Sequence, residues 1–145
     1  MTRDVSFETK GRILAIDFGT KRVGLALSDL SQFLASPFMT IENKGYDSLV
    51  RRIVDIVTRE DIKGIIVGNP LNMDGTGSEM AKRSARLAKK LSNAVPVPVL
   101  MWDERLTSQS AHDMLIQTGQ SPSKQRNRID QIAAAFLLQS FLDQH

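Results

Sequence analysis

Two short apolar runs open the patterned part of the chain, Ile13 to Ile16 and Val23 to Leu27. The first is bounded by a Gly-Thr pair, as a strand buried on both faces reads. Gly19 to Arg22 between the runs is far shorter than a parallel crossover, so the two strands pair antiparallel through a hairpin. Phe33 to Ile41 is extended, with Pro37 marking an edge or an irregularity, and completes a meander. Gly45-Tyr46-Asp47 then opens a helix that carries Leu49, Ile53, Ile56 and Val57 on one side and Arg51, Arg52, Asp55 and Arg59 on the other. Lys63 to Gly68 is a short buried strand, followed by a turn-rich loop from Asn69 to Gly77. Ser78 is placed to cap a helix over Glu79 to Asn93, with Met80, Leu87, Ala88 and Leu91 inward. Lys82, Arg83, Arg86, Lys89 and Lys90 make the outer surface of that helix basic, which reads as a solvated face.

Val95 to Trp102 forms a further strand entered through prolines. Thr107 or Ser108 caps a short helix reaching Leu115, and Gly119 to Gln125 is a polar loop. Arg128 to Leu142 is the last helix, its apolar face defined by Ile129, Ile132, Ala133, Phe136, Leu137 and Phe141. The order predicts an α/β domain: a five-stranded mixed sheet, with a three-strand antiparallel meander and two parallel strands, flanked by helices. That domain spans residues 12–145. Residues 1–11 lack periodicity and read as a flexible N-terminal extension.

With 145 residues there is room for one domain with a substantial core. No apolar run reaches membrane length and the polar start lacks the centre of a secretory signal, so a cytoplasmic protein without membrane contact is expected. The absence of cysteine excludes disulfides and thiolate metal sites, leaving oxygen as the main donor to any metal. A formal charge of +3, from 19 basic against 16 acidic residues, permits a polyanionic partner without demanding one.

Four motifs in order carry a resemblance: Asp17-Phe-Gly-Thr-Lys-Arg-Val-Gly-Leu-Ala, Val67-Gly-Asn-Pro-Leu-Asn-Met-Asp-Gly75, Asp103-Glu-Arg-Leu-Thr-Ser108 and Arg128-Ile-Asp130-Gln-Ile-Ala-Ala134. Together they resemble the YqgF/RuvX family of pre-16S rRNA nucleases and Holliday-junction resolvase-like proteins, within the RNase H-like superfamily. The resemblance covers nearly everything after Gly11. It implies a single RNase H-like domain whose carboxylates bind divalent metal at the central strands. The expected activity is endonucleolytic hydrolysis of phosphodiester bonds, processing the 5′ end of precursor 16S rRNA in ribosome biogenesis.

The residue chemistry agrees. Phosphodiester hydrolysis requires an activated water, charge stabilisation and help for the leaving oxygen, which two metals about 4 Å apart supply together. Mg²⁺ or Mn²⁺ takes hard oxygen ligands, so neither His nor Cys is needed. Asp17 ends the first strand, Glu104 the last, and Asp130 stands in the first turn of the last helix; these three are the candidate catalytic carboxylates and metal ligands. Strand alternation sends Asp103 and Glu104 to opposite faces, and the resemblance favours Glu104. For Asp130 the macrodipole offers a plainer reason, since acids are favoured in any first helical turn.

Lys21 and Arg22 at the hairpin tip, Asn69 in the glycine-bearing loop and Arg105 are candidate contacts to nucleic acid. Trp102 reads as core, and His112 and His145 as inert. Resolvase relatives carry a fourth acid at the end of the fourth strand, where this chain has Gly68-Asn69. A structured RNA substrate is favoured and branched DNA is the alternative. The DNA reading demands a two-fold dimer, and the chain, monomer or homodimer, shows no dimer seam. A non-catalytic nucleic-acid-binding protein would leave the three acids unexplained. An actin-like ATP-binding fragment, suggested by Asp-x-Gly-Thr, would need a second domain that this length cannot hold.

Overall fold

A computed structural model describes residues 7–72, 74–104 and 122–144, the last stretch with side chains from Arg128 onward. Its elements are β1 (Arg12–Asp17), β2 (Arg22–Ser28), β3 (Ala35–Glu42), α1 (Tyr46–Arg59), β4 (Ile62–Asn69), α2 (Glu79–Ala94), β5 (Val99–Asp103) and α3 (Pro122–Asp143). The strands form one sheet in the order β3-β2-β1-β4-β5. β1 pairs antiparallel with β2, and β2 with β3, whereas β4 runs parallel to both β1 and β5. This is the meander plus two parallel strands that the pattern predicts.

Side-chain alternation along the strands divides the core between two faces. Leu14, Ile16, Ile65 and Val67 point to the side covered by α1 and α2, meeting Leu49, Ile53, Leu87 and Leu91. Ile13, Ala15, Ala26 and Ile66 point to the other side, against Ala134, Leu137, Leu138 and Phe141 of α3. Both faces of β1 are therefore dry, as its unbroken apolar run requires. Pro37 lies on the edge strand, at a register shift where Leu25 faces Met39 and Ala26 faces Pro37. Ser78 caps α2 by accepting a hydrogen bond from the Ala81 N–H at 2.9 Å. Trp102 is partly buried at the border of the core: its ring meets Phe141 edge-on at 5.2 Å and its Nε1–H donates to Ser140 Oγ at 2.8 Å.

Three expectations change. The segment before β1 is not loose throughout, because Phe7 is buried with its ring 5.4 Å from that of Phe141. One aromatic side chain is enough to bind that end of the chain to the core. The last helix begins at Pro122 rather than Arg128 and takes in residues expected to be loop; Pro at a helix start is tolerated because its missing N–H is not needed there. At 3.6 residues per turn Asp130 then lies in the third turn rather than the first, so the macrodipole does not account for it. The buried stripe of this helix is Ala134, Ala135, Leu137, Leu138, Phe141 and Leu142, while Ile132 and Phe136 are only partly covered. The predicted helix from Thr107 or Ser108 lies outside the described residues, as do Arg105, His112 and His145.

Candidate active site

Because β1, β4 and β5 run parallel, their C-terminal ends share one edge of the sheet. In open α/β sheets this edge is where ligand crevices form. Asp17 closes β1, Asn69 closes β4 in register with Asp103, and Glu104 follows directly after β5. β2 runs the other way, so its first residue, Arg22, comes to the same edge. Residues 17, 22, 69 and 104, far apart in sequence, are gathered by topology alone.

Asp17 and Glu104 meet. The two carboxyl groups come within hydrogen-bond reach of each other. Burial pushes the Asp17 carboxyl well above the usual carboxylate range; the charge of Glu104, the hydrogen bond to it and the charge of Asp130 all add. Glu104 is raised as well, first by burial, with the hydrogen bond from Asp17 opposing and the charge of Asp103 adding. Two half-buried acids this close cannot both ionise without a compensating cation.

Glycines make this arrangement possible. A side chain on Gly68 would collide with the Glu104 carboxylate, so the glycine on the fourth strand leaves room for the acid that follows the fifth. Gly24 faces Asp17 across the β1–β2 pair, and a side chain there would strike the main-chain carbonyl of Asp130. The close crossing of α3 over β2 at Gly24 is what brings Asp130 to the acidic edge. An isolated glycine inside an apolar run is a sign of such close approach, and Val23-Gly24-Leu25 carried that sign in the sequence.

Asp130 itself is held by Arg22, whose Nε donates to Oδ2 at 2.7 Å. Arg22, a candidate phosphate contact, is thus engaged within the protein. Lys21 stays exposed at the hairpin tip. The loop after Asn69 is closed on itself: Ser78 Oγ donates to the Pro70 carbonyl at 2.6 Å, and Asn72 N–H donates to that of Thr76 at 2.9 Å.

Among the described residues no three Asp, Glu, His or Cys side chains stand as a group that could hold a metal ion. The donor chemistry nevertheless fits a hard divalent cation at Asp17 and Glu104, whose mutual repulsion a cation would relieve. Asp130 is adjacent and anionic, but its Oδ2 faces a guanidinium. The guanidinium competes with a metal for that oxygen.

Comparison with known proteins bears on this edge. Residues 11–144 match the sequence model of a family described as "RuvX: Holliday junction resolvase". The chain is 38% identical over 132 residues to a protein of Syntrophus aciditrophicus, covering 91% of this chain and 88% of that one. It is 41% identical to a protein of Lachnospira eligens over 91% of this chain and 96% of that one. Both carry the name "Putative pre-16S rRNA nuclease". In three dimensions the chain is similar to Thermus thermophilus RuvC solved with a Holliday junction substrate, with a TM-score of 0.59 at 14% identity over 92% of this chain and 96% of that one. It is also similar to the fowlpox virus Holliday junction resolvase, with a TM-score of 0.55 at 16% identity over 92% and 99%. These structures establish a RuvC-like, RNase H-type fold.

Proposed function

The chain belongs to the RuvX family, and from that premise we propose that its acidic edge is the active site of a divalent-metal-dependent endonuclease that processes the 5′ end of precursor 16S rRNA in the cytoplasm. The observation that carries this reading is the Asp17–Glu104 pair at the C-terminal edge of the parallel strands, two carboxyls brought within reach of each other where strands from distant parts of the chain converge.

Asp17 and Glu104 would hold Mg²⁺ or Mn²⁺, with Asp130 as a further ligand once it parts from Arg22. A bound divalent ion supplies activation of water and stabilisation of charge on the phosphoryl oxygens. The chain's own residues do the rest. Half-burial of Asp17 limits the water that competes for its oxygens, and the ordering of Glu104 over Gly68 presets the second donor. Arg22 holds Asp130 at the edge rather than in the interior, and Lys21 stands exposed beside it for a phosphate oxygen. Asn69 offers a neutral donor at the end of β4.

The family's description names Holliday junctions, so cleavage of a four-way DNA junction is the second reading. One experiment separates the two. Wild type and Asp17→Asn are given a precursor-16S 5′-end RNA and a four-way DNA junction, each with Mg²⁺, Mn²⁺ or EDTA. Site-selective cutting of the RNA by wild type alone, abolished by EDTA, supports rRNA processing. Symmetric nicking of the junction in preference to the RNA supports resolution. Binding of both by both proteins with no cutting rejects catalysis by this chain.

A further inference from the structure

A groove of about 370 Å³ opens next to the acidic edge, lined by Phe18, Thr20, Asn43, Tyr46, Arg83 and Arg86 among others. Phe18 directly follows Asp17 and its ring stacks on that of Tyr46, with centroids 6.1 Å apart and planes 4° from parallel. Alternation along the chain puts the Phe18 ring on the α1–α2 side of the sheet and the Asp17 carboxyl on the α3 side, so the groove and the acidic pair flank the same end of the sheet from opposite faces. Asn43 fixes its rim: its Nδ2 donates to the Gly19 carbonyl at 2.8 Å and its N–H to that of Lys21 at 2.9 Å. Tyr46 ties α1 to α2 by donating its hydroxyl to the Arg83 carbonyl at 3.2 Å.

The opposite wall is cationic. Arg83, Arg86 and Lys90 recur at helical spacing on one face of α2, all exposed. The Arg86 guanidinium lies 5.9 Å and the Lys90 ammonium 5.7 Å from the centre of the Tyr46 ring. One carboxylate, Glu79, offsets them, 3.6 Å from Arg83. A single cation over a partly exposed ring gains about 0.5–1 kcal/mol. Crowding a second like charge beside it at i, i+4 costs about 0.2–0.5 kcal/mol. Packing two cations over one ring concentrates positive charge at the groove. With Phe18 on the ring and two cations over it, Tyr46 works as a support that aims charge rather than as a platform for a base.

We infer that this groove is a phosphate subsite for the nucleic-acid strand cut at the acidic edge: Arg83 and Arg86, supported by Tyr46 and Lys90, bind a phosphodiester of that strand where it passes over the end of the sheet, away from the scissile bond, with Thr20 and Asn43 as neutral donors. The guanidinium fork matches phosphate oxygens in a way that a plain solvated helix face does not require. The volume suits one nucleotide unit. The inference rests on the nuclease reading.

The test uses the full chain and a fluorescein-labelled precursor-16S 5′-end RNA, with binding followed by anisotropy in the Asp17→Asn background so that cutting does not enter. Arg83→Gln/Arg86→Gln is compared with Arg51→Gln/Arg52→Gln, which removes the same charge from the exposed side of α1. The expected result is affinity at least about tenfold weaker at about 0.1 M salt for the groove pair, with a log–log salt slope shallower by about 1.4 for two lost single-strand phosphate contacts. The α1 pair should change little. Arg83→Lys/Arg86→Lys should restore the slope without full affinity, which separates a lost contact from a damaged fold. With Asp17 restored, the groove pair should raise KM while leaving kcat. Equal loss from both pairs would show diffuse attraction and overturn the subsite. A defect confined to a free nucleoside monophosphate, with RNA binding unchanged, would overturn the strand assignment. If wild type cuts no substrate but the groove pair still weakens RNA binding selectively, the subsite stands and only the nuclease reading fails.

Discussion

The Nε of Arg22 lies 2.7 Å from Oδ2 of Asp130, a link between the first residue of β2 and the third turn of α3 across 108 positions of sequence. It balances the acid that the family resemblance assigns to metal. Arg22→Gln should therefore tighten Mn²⁺ binding, read by titration calorimetry, because Asp130 is released to the Asp17–Glu104 pair. The ion pair is partly exposed, so the loss of stability should not exceed about 1 kcal/mol. Unchanged Mn²⁺ affinity would mean that the guanidinium does not compete with a cation for Asp130.

Asp17→Asn should raise the melting temperature near neutral pH by a few degrees while abolishing cleavage. The sign follows from linkage: a carboxyl raised in the folded state favours folding at low pH, and that benefit is lost as pH rises through its folded value. Near about pH 4, where an ordinary carboxylate titrates, wild type and variant should converge. Mg²⁺ or Mn²⁺ should stabilise wild type near neutral pH with release of a proton and have little effect on the variant. Melting scans across pH, with and without metal, check each part. A gap between the two proteins that widens toward acid would contradict the raised Asp17 carboxyl.

Gly24→Ala and Gly68→Ala should differ in kind. At Gly24 the added methyl meets the main chain of Asp130, which cannot swing aside, and about 1–3 kcal/mol of stability should be lost together with activity. At Gly68 it meets the end of the Glu104 side chain, which can rotate away. Stability should fall by less than about 1 kcal/mol while cleavage is still largely lost. Urea titrations beside cleavage rates distinguish the two outcomes. Equal destabilisation would show that Glu104 is as fixed as a backbone.

Phe7→Ala should cost about 3 kcal/mol, the usual loss for a buried phenylalanine. Removing residues 1–6 while keeping Phe7 should cost far less. Denaturant midpoints of the two proteins decide whether the core begins at Phe7 or at β1.

Local pattern made much of this protein readable. Ile13 to Ile16, Val23 to Leu27 and Lys63 to Gly68 are apolar runs of strand length, and Leu49, Ile53 and Ile56 repeat at helical spacing; each needs only near neighbours in sequence to be recognised. Short separation forced the meander and the helical crossovers forced β4 and β5 parallel to β1, so the location of Asp17 and Glu104 at one edge followed from order alone. The start of α3 was not readable. Its first turns carry polar residues that resemble a loop, and which of its apolar residues are buried depends on where the helix crosses the sheet.

What the sequence by itself determined was the set of elements, their order and the acids that stand at their ends, because hydrophobic period and turn chemistry act over a few residues. Tertiary structure alone decided the partners: that Asp17 meets Glu104, that Arg22 holds Asp130, that Gly24 and Gly68 leave space for Asp130 and Glu104, and that Tyr46 turns a basic helix face into the wall of a groove. Those relationships depend on distances between segments dozens of residues apart. Only the packing of helices on both faces of the sheet sets such distances.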